Sequence, residues 1–259
     1  MLNKEQTNEV KDLIKKAIID KIENYKLIGD IKPFHERLFS RERIRETSFF
    51  HSCSTTIGVT LFQNIGYLIA KENKIFRKVE KQYLVSGNFS DEAKSLIENI
   101  IFDLGRKQKD HKKRIPNIKM EIKEVLGCAS KKVTPSNQIA DLFLEKFNGE
   151  EIYIEIKSVK PNKSESKEIR RGMLKIVALR NRAVKVLAGM PYNPYEPDEF
   201  KWPLPLNYLK VGEDLLIGKE FWDFLGGKGT YEELLKIFEE VGNELKDEIE
   251  NKIKNLINM

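Results

Sequence analysis

Cysteine and histidine are scarce in this chain of 259 residues: there are two cysteines, Cys53 and Cys128, and three histidines, His35, His51 and His111. The cysteines stand far apart and outside any CxxC or Cys/His spacing, which argues against a disulfide framework and against a zinc site. The histidines form no HExxH pair, and neither a GxSxG elbow nor a GxxxxGKS/T phosphate loop occurs. Gly226-Gly227-Lys228-Gly229-Thr230 lacks the latter spacing and reads as a turn between helices. No apolar run approaches the roughly 18 residues that cross a bilayer. The first residues enter a charged amphipathic pattern, not the apolar core of a signal peptide. The expectation is a soluble, cytoplasmic protein.

What is abundant is charge. Lys and Arg number 46 against 40 Asp and Glu, a net of +6, while 40% of the residues are apolar. That is enough to bury a sizeable core and to exclude a disordered polymer. Val10, Leu13, Ile14, Ala17, Ile18 and Ile22 draw one stripe of an N-terminal helix. The apolar stretch from Ser48 to Ala70 reads as one helix buried on most sides. Ser90, followed by Asp91 and Glu92, caps a helix carrying Ala93, Leu96, Ile97, Ile100 and Ile101.

The period then changes. Ile139 to Phe147 and Glu151 to Lys157 are short runs of strand character around Asn148-Gly149, a strong hairpin signal. In the second run Ile152, Ile154 and Ile156 share one face, and Tyr153, Glu155 and Lys157 the other. Ser164 is the expected cap of a helix reaching about Arg182, and Val184 to Met190 reads as a buried strand. Pro191 to Pro197 must be an ordered loop. Thr230 with Glu233 suggests a capping box that opens a final helical region. The simplest organisation is one domain over residues 1–259, with a mainly helical part (1–105), an α/β core (106–200) and a C-terminal helical part (201–259).

Chemistry concentrates at Asp141, Glu155 and Lys157, the carboxylates fourteen residues apart and the lysine two further on. Two carboxylates at a hairpin can hold a hard divalent cation such as Mg²⁺, with the Ile156 carbonyl as a further oxygen ligand. A neighbouring ammonium can orient and help deprotonate an attacking water and offset charge building on a phosphate. These are the needs of phosphodiester hydrolysis. A two-residue turn at Asn148-Gly149 would put Asp141 opposite Ile156, and a three-residue loop from Asn148 to Glu150 would put it opposite Lys157. The metal site therefore requires an odd loop or a bulge.

Basic residues point to nucleic acid independently. Six Lys/Arg and one Asp lie between Arg106 and Arg114, a local net of +5. On the helix after the hairpin, Lys167, Arg171, Lys175 and Arg182 cluster opposite Ile169, Met173 and Ile176. Lys160 and Asn162 follow the strand closely enough for backbone or base contacts. Tyr192, Asn193 and Tyr195 sit on the proline-braced loop, and Trp202 and Trp222 are assigned to packing.

Ile139-Ala140-Asp141 with Glu155-Ile156-Lys157 resembles the PD-(D/E)XK nuclease motif, without a proline before the aspartate. Three longer blocks, residues 157–162, 190–197 and 220–227, together with Lys32-Pro33-Phe34-His35, resemble the TdeIII-type restriction endonucleases over most of the chain. The resemblance implies an α/β fold with a PD-(D/E)XK-type mixed sheet, flanking helices and a helical N-terminal region. It implies a type II enzyme cutting double-stranded DNA with Mg²⁺, some relatives reading GGNCC, and a cognate DNA methyltransferase as genetic partner. Mapped by motif, the metal carboxylates are Asp141 and Glu155 and the catalytic lysine is Lys157. A further acid from an early helix, Glu92 or Glu98, is selected by no motif. A palindromic target suits a homodimer. Two rivals stay open: a structure-specific or repair nuclease, and a non-catalytic basic DNA-binding protein in which the three residues are hairpin surface charges.

Overall fold

The computed structural model describes residues 2–26, 33–107, 109–128 and 132–257; Lys32 lies outside them. In chain order come helices α1 (Lys4–Asn24), α2 (His35–Leu38), α3 (Arg41–Thr56) and α4 (Val59–Lys71), then strand β1 (Phe76–Ser90), α5 (Asp91–Leu104) and α6 (Ile118–Leu126). The centre holds β2 (Val133–Lys146), β3 (Glu151–Ile156), α7 (Lys163–Arg180) and β4 (Lys185–Met190). α8 (Pro203–Leu206), β5 (Leu215–Ile217), α9 (Lys219–Gly226), α10 (Thr230–Glu244) and α11 (Lys246–Ile257) follow.

The five strands form one mixed sheet in chain order. β1, β2 and β3 pair antiparallel, whereas β3, β4 and β5 run parallel. A parallel neighbour needs a crossover, and α7 supplies the one between β3 and β4. Its apolar residues Ile169, Met173 and Ile176 are buried, as their spacing requires. Each face of the sheet carries its own core. Tyr153 and Phe143 join α5, α6 and α7 through residues such as Ile97, Val125 and Leu174. Ile152, Ile154 and Ile156 join α1, α4, α9 and α10 through Ile14, Ile65, Trp222 and Ile237. The alternation read along β3 is thus the division between two helical layers. Among the described residues no helix is long and apolar enough to cross a membrane.

Several expectations need correcting. Ser48 to Ala70 is not one helix: α3 ends at Thr56 and α4 starts at Val59, with Gly58 between them as the N-cap of α4. A Cβ at Gly58 would lie 2.7 Å from the Thr55 carbonyl oxygen, so the break admits no side chain. Phe50, read as buried, is exposed. The strand β1 lies inside the stretch read as mainly helical, and β2 begins six residues before Ile139. α7 is capped by Asn162, not Ser164: the Asn162 side chain accepts from the Glu165 N–H, and Glu165 accepts from the Asn162 N–H. The Thr230–Glu233 box does not form. Gly229 is the N-cap of α10, Thr230 Oγ1 donates to the Gly227 carbonyl, and Asp223 accepts from the Gly229 and Tyr231 N–H groups. Glu233 instead accepts from the Leu2 N–H, tying the N-terminus to α10.

Candidate active site

The hairpin between β2 and β3 sets the site. Its loop is Phe147-Asn148-Gly149: the Lys146 N–H donates to the Glu150 carbonyl at 3.0 Å, and the Gly149 N–H to the Lys146 carbonyl at 2.9 Å. Gly149 takes φ of +81°, which glycine adopts without penalty. The loop is odd, as required, but lies one residue earlier than Asn148 to Glu150. Leu142 pairs with Ile154 and Phe143 with Tyr153. One position further, Asp141 falls opposite Glu155, and not opposite Lys157 or Ile156. Directly opposed residues hold their Cβ atoms about 5 Å apart.

The two carboxylates are held differently. Asp141 is buried, at 8% exposure. Its Oδ2 accepts from the Ile156 N–H at 2.7 Å and its Oδ1 from Gln82 Nε2 at 3.1 Å. Glu155 Oε1 lies 2.7 Å from Lys157 Nζ. Burial and then the Asp141 carboxylate push Glu155 above the usual carboxylate range, against the pull of Lys157. Burial opposes the ammonium of Lys157, but Glu155 and then Asp141 outweigh it and its pKa is raised. Two neighbouring carboxylates with one lysine leave negative charge uncompensated, the condition a hard divalent cation relieves. No group of three or more His, Cys, Asp or Glu converges among the described residues. A cation here would therefore complete its shell with backbone carbonyl, water or phosphate oxygens, and this donor set fits one that prefers oxygen.

The residues expected to touch DNA are mostly engaged within the chain. Arg171 makes a two-pronged pair with Glu98, at 2.6 and 2.8 Å, and also meets Glu168. Glu98 is thus tied to α7 and not to the carboxylate pair. Lys160 Nζ lies 5.2 Å from the centre of the Tyr195 ring and 5.8 Å from that of Trp202. Asn162 is the cap of α7. Lys175 sits over Phe89, and Arg182 pairs with Glu151. Lys167 is half-buried. In the basic run, Arg106 pairs with Asp103 and Asp110, and Arg114 with Glu124. Lys107, Lys109 and Lys112 are exposed. Trp222 and Trp202 donate to the carbonyls of Pro191 and Pro161 respectively, in keeping with packing roles.

Two groups escaped the sequence reading. Gln82 belongs to no motif. Arg170 stands in α7 among basic residues expected to face solvent, yet it is fully buried between Glu121, at 3.0 Å, and Asp214, at 2.6 Å. Its sequence signal is its position, one residue beyond Ile169 on the apolar face.

Comparison with known proteins agrees with the class that the sheet and the carboxylate pair suggest. The family model for HinfI, a type II restriction endonuclease, matches residues 2–242. The type II restriction enzyme HgiCII of Herpetosiphon aurantiacus is 28% identical over 231 residues, 87% of this chain and 82% of its own. HgiBI of the same organism matches over the same shares at 28%. The type II restriction enzyme MjaII of Methanocaldococcus jannaschii is 28% identical over 215 residues, 75% of this chain and 54% of its own. The chain belongs to the HinfI family of type II restriction endonucleases, and is a site-specific deoxyribonuclease. Enzymes of this type bind DNA and generally use divalent metal ions.

Proposed function

We propose that the protein makes Mg²⁺-dependent double-strand cuts at a specific short DNA sequence, GGNCC by its TdeIII-type likeness, as the cytoplasmic nuclease of a restriction-modification system. The observation that carries this reading is the register of β2 and β3, which sets Asp141 opposite Glu155 with Lys157 Nζ 2.7 Å from the latter. Residues 1–259 act as one restriction-endonuclease domain. Asp141, Glu155 and the Ile156 carbonyl hold the metal, whose role when bound is to polarise the scissile phosphate and acidify a water. Asp141 accepts from the Ile156 N–H and from Gln82 Nε2. Lys157 keeps its proton beside Glu155 and offsets charge developing on the phosphate. On α7, Lys167 contacts the DNA backbone, and Lys175 does so by leaving the Phe89 ring. Lys160, Asn162 and Arg171 join them only by exchanging their present partners.

A two-fold target is read by two copies of the chain, one per half-site. The genetic partner is a methyltransferase that protects the host's own sites.

The test is a set of GGNCC and scrambled duplexes challenged with wild type, Asp141→Ala, Glu155→Ala and Lys157→Ala. Selective cutting by wild type, with binding but no cutting by the three variants, is expected. Binding without turnover by wild type would move the protein to the binding class. Equal cutting of both duplexes would favour a structure-specific or repair nuclease.

A further inference from the structure

The strand that flanks Asp141 on the side away from Glu155 carries an irregularity with a chemical purpose. Lys81 pairs with Leu142 and Tyr83 with Ala140, so Gln82 stands opposite Asp141 at the one position the ladder skips between them. Gln82 has φ of +51°; among the described residues the other non-glycine residue with positive φ is Asn181, which caps α7 at its C-terminus. A left-handed cap is an ordinary use of asparagine, but a long side chain in that region in mid-strand is strained, and strain of this kind persists where the surroundings over-determine it. Either side of Gln82 the strand changes partners. Phe76 and Val79 pack with the layer of α1 and α4, whereas Tyr83 and Val85 pack with the layer of α7.

This conformation delivers the amide to the carboxylate. Gln82 Nε2 donates to Asp141 Oδ1 at 3.1 Å and lies 3.5 Å from Gln63 Oε1 on α4. One residue earlier, Lys81 Nζ donates to Asn64 Oδ1 at 2.9 Å, so α4 braces this turn of β1 twice. The Asp141 carboxylate is therefore gripped at both oxygens, Oδ2 by the backbone of β3 and Oδ1 by a side chain of β1. A neutral amide fixes the plane of the carboxylate without cancelling its charge, and each oxygen keeps capacity for another partner. An arginine or lysine here would compete with a cation. Groups that orient a metal ligand in this way contribute about 10–100-fold to metal affinity or activity.

We infer that Gln82 is a positioning residue that aims the Asp141 carboxylate at the divalent cation of the cleavage reaction; the inference rests on the reading of Asp141 as a metal ligand. Gln82→Gly and Gln82→Asn test it together. Glycine relieves the positive φ and asparagine tolerates it, but neither brings an amide to Asp141, the latter being one methylene short. Thermal unfolding, Mn²⁺ titration of the protein by calorimetry, and the Mg²⁺ dependence of cleavage are to be measured for both and for wild type. The expected result is a Tm no lower than wild type for Gln82→Gly, with Mn²⁺ affinity and cleavage rate reduced about 10–100-fold in both variants. Wild-type Mn²⁺ affinity and rate in either folded variant would overturn the inference, as would losses matched by unfolding of both, which would make Gln82 structural. A wild-type protein that neither binds Mn²⁺ nor cuts would instead remove the reading of Asp141 on which it stands.

Discussion

In the proposed mechanism Lys157 and Glu155, an ion pair at 2.7 Å, divide one job between two charges. While Glu155 accepts from it, burial is outweighed and the Lys157 pKa is raised, so in the proposed mechanism its part is a positive charge that orients the water, favours its deprotonation and offsets charge on the phosphate. Replacing it by methionine keeps the stem and removes the charge; single-turnover cleavage should fall by about 10²–10³-fold with DNA retardation retained, and an unchanged rate would remove the lysine from the mechanism. Arg170 obeys a different logic. It is buried against Glu121 and Asp214, and burial is the main reason the Glu121 carboxyl is pushed up despite that arginine. Arg170→Met leaves two acids buried without their partner and should cost about 3–5 kcal/mol in urea unfolding; a loss below about 1 kcal/mol would show that the acids simply take up protons. The motif spacing made Asp141, Glu155 and Lys157 legible in the sequence. Gln82 and Arg170 were not, since an amide in a strand and an arginine in a Lys-rich helix carry no spacing that marks them out.

At the level of elements, the helix after the active strand is fixed at both ends. Asn162 closes its first turn, and removing that cap by Asn162→Ala should cost about 1 kcal/mol, read as a lower urea midpoint at unchanged slope. At the other end Glu151 of β3 meets Arg180 at 2.7 Å, together with Arg182 and the Tyr153 hydroxyl. Burial raises its carboxyl, but Arg180, Tyr153 and Arg182 outweigh it and leave it below its ordinary 4.5. A depressed carboxyl contributes stability above its unfolded-state pKa and loses it as pH falls through the folded value. Acidification below 4.5 should therefore destabilise wild type more steeply than Glu151→Gln, and parallel pH profiles in urea unfolding would contradict the pairing. Elements were legible where one period persists: α1, α5, α7 and β3 all followed their apolar spacing. β1 was not, because Arg77, Lys78, Glu80 and Lys81 interrupt its apolar positions and the left-handed Gln82 reverses its faces midway. The hairpin loop was placed one residue late, which shifts the partner of Asp141 by two, for a similar reason, since a turn rich in signal does not state which residues open it.

Over the whole molecule, the sheet separates two helical layers, and the carboxylate pair sits where its central strands meet. The net charge of +6 gives less free positive surface than it promises, because Arg106, Arg114, Arg171 and Arg182 are already matched by acids. That matching depends on folding and is invisible in a count. Lys107, Lys109 and Lys112 should bind phosphates of the DNA backbone: replacing them by alanine should flatten the log–log salt dependence of DNA binding by roughly 0.9 for each phosphate no longer neutralised. An unchanged slope would assign them to solvent.

The most direct test of the central claim is a digest of a fully sequenced plasmid by purified protein, with Mg²⁺ and with chelator, beside Glu155→Ala. Discrete fragments whose mapped ends fall at one short sequence, absent from both controls, are the predicted result. Cutting that survives the chelator, or that Glu155→Ala performs as well as wild type, would contradict it.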